Sequence, residues 1–113
     1  MKDYDKARTN WEIAKQIYPN NPFLKTNLKL LGSVYYNDAM KMGAKRPVDA
    51  QKLLKKAIEV DPNNSDYWYN LGGVSYTIGD FEKARDAWTK TLLLDPNNQE
   101  AKKGMEALTM KMK

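Results

Sequence analysis

Between residues 65 and 94 the apolar positions fall into two groups with the same period. Trp68, Leu71, Ser75 and Ile78 recur every three to four residues, which is one face of an α-helix. Asn64 or Ser65 supplies an N-cap for it and Gly79-Asp80 a stop. A second helix is expected from about Phe81 to Leu94, with Ala84, Ala87, Trp88, Thr91 and Leu92 on its packing face. Pro96 ends it, because a residue that precedes proline is pushed out of the helical region.

The same pattern recurs upstream. Leu28, Leu31, Gly32 and Tyr35 mark a first helix, and Ala50, Leu54 and Ala57 a second, closed by Pro62. Here the first helix is expected to run on to about Met42, and Pro47 suits the first position of the next. Downstream, Ala101, Met105, Leu108 and Met112 share a face in 99–113, which reads as a terminal capping helix.

Three copies of one phrase punctuate the chain: Tyr18-Pro19-Asn20-Asn21, Asp61-Pro62-Asn63-Asn64 and Asp95-Pro96-Asn97-Asn98. Their prolines stand 43 and then 34 residues apart, and the second interval is the period of a helix-turn-helix repeat. Over one full period, Trp68, Leu71, Gly72, Tyr76, Gly79-Asp80-Phe81, Ala84, Trp88 and Pro96 resemble the tetratricopeptide repeat. Tyr76 stands one place after the usual aromatic position, which Ser75 holds, and Thr91 replaces the usual Ala.

The resemblance implies an all-α helix-turn-helix repeat solenoid of about six helices with right-handed superhelical stacking. It divides a single domain into 1–21, the second helix of a truncated repeat; 22–64, an extended repeat; 65–98, a full repeat; and 99–113, a C-terminal capping helix. Shifting the register back sets Trp11, Ala7 and Tyr4 on Trp88, Ala84 and Phe81, so the first residues read as a second helix whose partner is missing. Ala7, Trp11 and Ala14 would then leave an apolar stripe uncovered, and self-association as a homodimer through the N-terminal helix is expected.

In this family the concave surface is lined by the first helices at six recurrent positions. The resemblance places Thr26, Lys29, Leu30, Ser33, Tyr36 and Asn37 there from the extended repeat, and Asp66, Tyr69, Asn70, Gly73, Tyr76 and Thr77 from the full one. The terminal helix adds Glu100, Lys103, Gly104 and Ala107. Of these, Lys29, Ser33, Tyr36, Asn37, Tyr69, Asn70, Tyr76 and Lys103 form the candidate peptide-binding groove, a mixture of aromatic faces, amides and cations suited to gripping a peptide or helix. The tyrosines equally suit the plainer task of covering helix junctions. One branch of the family clamps the terminal carboxylate of chaperone peptides. Asn70 and Lys29 fit that pattern, but Ser33 replaces an Asn, and Glu100 and Gly104 stand where it needs cations.

Composition narrows the chemistry further. Cys and His are both absent, which removes thiolate nucleophiles, zinc-thiolate sites and the commonest general base and metal ligand. The only glycine pair, Gly72-Gly73, falls inside a helix and not in a phosphate-binding loop. No enzymatic activity, cofactor or metal is therefore expected, the Asp and Asn residues of the repeated phrase being explained as turn and cap residues. No stretch is long and apolar enough to span a membrane. The net charge of +5 is spread and interrupted by acids, so nucleic acid is not an expected partner. What remains is a scaffold that binds a protein or peptide, or alternatively a structural spacer within a longer solenoid.

Overall fold

Gly43 and Gly79 both adopt positive φ, at 45° and 93°, and each marks the place where a helix ends and the chain turns back. A side chain at either would be strained, whereas glycine enters this region freely. The computed structural model describes residues 22–111. Among them are five α-helices: α1 (Pro22–Met42), α2 (Pro47–Val60), α3 (Ser65–Ile78), α4 (Phe81–Leu94) and α5 (Gln99–Lys111). There is no strand among the described residues. The segment 1–21, with Trp11 and its expected apolar stripe, lies outside them, as do Lys113 and Met112.

The last Asn of the repeated phrase caps two of the helices, and Asp80 caps a third. Asn64 caps α3, its side chain accepting a hydrogen bond from the Asp66 amide at 3.0 Å. Asn98 does the same for α5 through the Ala101 amide at 2.9 Å. Asp80 caps α4 by accepting from the Lys83 amide at 3.3 Å. At the end of α3, the Gly79 amide donates to the Ser75 and Tyr76 carbonyls and the Asp80 amide reaches back to Ser75 at 2.9 Å. This doubly bonded turn satisfies carbonyls that would otherwise be orphaned. Between α1 and α2 a single 3-10 turn, Gly43–Lys45, tightens the corner, and Pro47 opens α2 beside an ion pair of Arg46 and Asp49 at 2.7 Å.

Each helix packs on its neighbours in the chain, α1 on α2, α2 on α3, α3 on α4 and α4 on α5. One core runs through the first four helices, with Leu31 and Tyr35 of α1, Leu54 and Ala57 of α2, and Tyr67 and Leu71 of α3. A second joins α4 to α5 through Ala84, Trp88, Ala101 and Leu108. Trp88 is the hinge-pin of this second core. Gly72 of α3 faces the pyrrole edge of the indole so closely that a Cβ would overlap Nε1 and Cδ1, and a Cβ on Gly104 of α5 would lie 2.8 Å from its benzo ring. The indole N–H donates to the Tyr69 carbonyl at 3.0 Å, satisfying the one polar atom that the ring carries inward.

The apolar face of α3 differs by one residue from the sequence expectation. Tyr67, only 4% exposed, is the buried aromatic, whereas Trp68 is half-buried at the edge of the core. Trp68 turns outward enough for its indole N–H to reach the Pro62 carbonyl at 2.7 Å and for Lys90 to stand over the ring at 6.0 Å. Ile78, also expected on the packing face, is 37% exposed at the helix end. Tyr67, Leu71 and Ser75 keep the four-residue spacing that places them toward α1 and α2, and this spacing leaves Trp68 on the flank.

Candidate functional site

The odd-numbered helices α1, α3 and α5 carry the residues expected to line a groove. Tyr36 of α1 stacks on Tyr67 of α3, with ring centroids 5.1 Å apart and 29° between planes. The Asn70 side-chain N–H donates to the Tyr36 hydroxyl at 3.1 Å and to the Asp66 carbonyl at 2.8 Å. These contacts tie α1 to α3 across 34 residues of sequence. They also hold Asn70 in one orientation, so its amide is a fixed polar element beside an aromatic face.

Depressions flank this bridge on both sides. One, of about 760 Å³, is lined by Lys29 and Ser33 of α1, Tyr67 of α3 and the turn from Val60 to Ser65. The other, of about 240 Å³, is bounded by Met40, Gly43 and Pro47 from the end of α1 and the corner after it, and by Tyr69, Asn70, Gly73 and Thr77 of α3. The long α1 thus supplies a wall that a helix of ordinary length would not reach. Gly73 leaves its side of that wall bare, since a Cβ there would meet nothing within 4 Å.

Lys29, Ser33 and Asn37 are exposed on α1. The Ser33 hydroxyl is occupied, donating to the Lys29 carbonyl at 3.1 Å. Tyr69 is half-buried, and burial first, then its hydrogen bond to the Glu100 carboxylate, pushes its phenol above the ordinary range. That bond joins α3 to α5. Tyr67 is also raised, mainly by burial, with the nearby Ser33 hydroxyl opposing the shift. Tyr76 packs inward instead, against Phe81 at 5.4 Å and Trp88 at 5.9 Å between ring centroids. Lys103 is exposed on α5, while Gly104 beside it is covered by Trp88. Tyr36, Asn70, Tyr69 and the α1 residues therefore come together around α1 and α3, while Tyr76 also supports the second core. The side chain of Thr26 lies outside the described residues.

Tyr67 was not among the expected groove residues, although it forms the floor on which Tyr36 stacks. Its signal in the sequence was the spacing Tyr67, Leu71, Ser75, which competes with the Trp68, Leu71, Ser75 pattern and can be separated from it only by the packing partner. Among the described residues, no three His, Cys, Asp or Glu side chains are grouped to hold a metal ion, and no helix is long and apolar enough to cross a membrane.

The chain resembles portions of several larger proteins. It is 22% identical over 109 residues to Protein O-mannosyl-transferase TMTC1 of Homo sapiens, an alignment covering 96% of this chain and 12% of that protein. It is 30% identical over 113 residues to the Hsp70-Hsp90 organizing protein of Triticum aestivum, covering 93% and 19%. The chain thus spans less than a fifth of the length of these curated relatives. Among solved structures, the first TPR of Spaghetti (RPAP3) bound to the HSP90 peptide SRMEEVD superposes with a TM-score of 0.59 at 22% identity, over 97% of this chain and 80% of that one. A similarity at this identity establishes the shared helical-repeat fold. The tetratricopeptide repeat family model matches residues 41–108, more than half of the chain, and together with the paired helices, the glycine-indole contacts and the Pro-Asn-Asn turns this shows that the chain belongs to the tetratricopeptide repeat family.

Proposed function

We propose that this chain is a protein-interaction module that holds a peptide or a protein segment on the surface shared by α1, α3 and α5. The Asn70 to Tyr36 hydrogen bond carries the reading, because it fixes an amide and an aromatic face between two depressions without using up their remaining polar edges. Lys29, Ser33, Asn37, Tyr69 and Lys103 would provide hydrogen bonds and charge along the same track, and Tyr76 would support it from beneath. Pre-organisation of this kind lowers the ordering cost of binding.

Two names among the relatives favour protein partners: an Hsp70-Hsp90 organizing protein, and a repeat domain bound to an HSP90 peptide. The ligand preferred here is nevertheless not a terminal carboxylate. Ser33, Glu100 and Gly104 do not provide the cations and amide that such an anion needs, and Gly104 is under the Trp88 ring. Titration with the peptide SRMEEVD is expected to give no saturable binding in the micromolar range.

Capture of a partner by the parent protein provides the direct test. Asn70→Ala together with Lys29→Glu should abolish retention of that partner and, because Asn70 also ties α1 to α3, lower stability by about 1 kcal/mol; Lys29→Glu with Asn37→Ala, both exposed, should weaken retention while leaving the thermal melt nearly unchanged. Undiminished retention would favour the spacer reading, in which the surface holds nothing of its own.

A further inference from the structure

Glycine inside a helix weakens it, and at Gly73 nothing in the fold requires one. Its φ is not positive and an added Cβ would meet nothing within 4 Å, whereas the neighbouring Gly72 is demanded by the Trp88 indole. What the missing side chain leaves open is the depression of about 240 Å³ beside Asn70. Met40, Gly43 and Pro47 bound that depression from the end of α1 and the corner after it, so it exists because α1 runs for 21 residues where α3 runs for 14.

The chemistry of the lining restricts what can enter. None of the lining residues carries a charge, and Met40, Pro47 and Val74 give the depression apolar walls. Asn70 has committed both amide hydrogens, to the Tyr36 hydroxyl at 3.1 Å and to the Asp66 carbonyl at 2.8 Å. Thr77 has given its hydroxyl hydrogen to the Gly73 carbonyl at 3.1 Å. Both side chains can therefore meet a ligand only as acceptors. A carboxylate drawn in here would lose its water and find neither a cation nor these donors, and an ammonium would find no counter-charge; both losses are costly. An apolar side chain meets neither penalty and covers the exposed Met40. The volume falls below the roughly 300 Å³ at which ordinary small-molecule pockets begin, which suits a single side chain.

We propose that this depression is a specificity pocket of the concave surface, taking one uncharged aliphatic side chain of leucine size from the bound segment, with Gly73 keeping it open. The inference rests on the binding surface proposed above and adds which side chain that surface selects.

The test is an NMR titration of the full chain, labelled at its Met and Val methyl groups, with three acetylated, amidated pentapeptides of sequence Gly-Ser-X-Ser-Gly in which X is Leu, Ala or Asp. The leucine peptide should shift the Met40 and Val74 methyls saturably at millimolar concentration, and the alanine and aspartate peptides should not. Gly73→Leu, which fills the depression from α3, should weaken the leucine peptide at least about tenfold, the fold-change that burial of one such side chain corresponds to. Gly73→Ala should weaken it less, and neither variant should melt earlier than the parent chain, because a Cβ at this position meets nothing. Equal shifts with all three peptides, shifts confined to residues away from Met40 and Val74, or an affinity indifferent to Gly73→Leu would overturn the pocket and leave the broader surface standing. Saturable leucine binding at Met40 and Val74, with partner retention untouched by Lys29→Glu/Asn37→Ala, would instead keep the pocket and remove the broader surface.

Discussion

Two adjacent glycines show how sharply a single residue's role depends on what faces it. Gly72 and Gly73 both lie inside α3, where glycine costs roughly 0.5–1 kcal/mol relative to alanine. At Gly72 a Cβ would run into the indole of Trp88, and at Gly73 it would meet nothing. Gly72→Ala is therefore expected to destabilise by about 1–3 kcal/mol through overpacking, and Gly73→Ala to stabilise by about 0.5–1 kcal/mol. Denaturant melts of the two variants would show opposite shifts of midpoint. Trp88→Ala should cost on the order of 3–5 kcal/mol, since it empties a space bounded by three helices; an unchanged midpoint would contradict its place in the core. Titration adds a further residue-level expectation. The phenols of Tyr67 and Tyr69 are raised above 10.0, so the folded state holds their protons more tightly than the unfolded chain does. The stability this contributes is fully present below about pH 10 and is lost as pH rises through the folded values. Ultraviolet titration of tyrosinate, run beside melts at rising pH, should show these two phenols ionising late and stability falling as they do.

At the scale of the element, the helix boundaries are local chemistry. Asn64, Asp80 and Asn98 each accept a backbone hydrogen bond at a helix start, and Gly79 closes α3 with φ of 93°. Gly79→Ala creates no clash, since an added Cβ would meet nothing within 4 Å, yet it should destabilise by roughly 1 kcal/mol because alanine resists that φ. Helical content by circular dichroism should hold while the melting midpoint drops. These ends were readable in the sequence for a simple reason: a cap or a stop involves residues within about five positions of one another. The long α1 was readable too, since its apolar period continues until Gly43 and Pro47 interrupt it. The identity of the buried aromatic in α3 was not. Tyr67 and Trp68 are neighbours with equal claim to the apolar face, and only the position of α1 and α2 selects Tyr67.

For the whole molecule, α5 is the element on which the second core depends. It brings Ala101, Leu108 and Gly104 to Trp88 and carries the Glu100 carboxylate that Tyr69 bonds. A chain ending at Asn98 should leave the benzo ring of Trp88 in water, with red-shifted tryptophan emission and a lower melting midpoint than the full chain; an unshifted spectrum would mean that the ring is covered by something else. The sequence by itself determined the helices, their ends and the repeat, because periodicity, capping and the Pro-Asn-Asn phrase act over a few residues or recur at a fixed interval. By resemblance to a repeat family it also indicated which helices would carry the proposed groove. The tertiary structure alone decided how those residues are used. It stacked Tyr36 on Tyr67, turned Asn70 onto the Tyr36 hydroxyl, drew Tyr76 against Trp88 and brought Lys55 and Lys83, from different repeats, to the edge of one depression. Each of these pairings but Tyr76 with Trp88 joins residues about thirty positions apart. Nothing in the local pattern specifies them, because they follow from the angle at which one helical pair packs on the next, and that angle is set by the shape of the shared core.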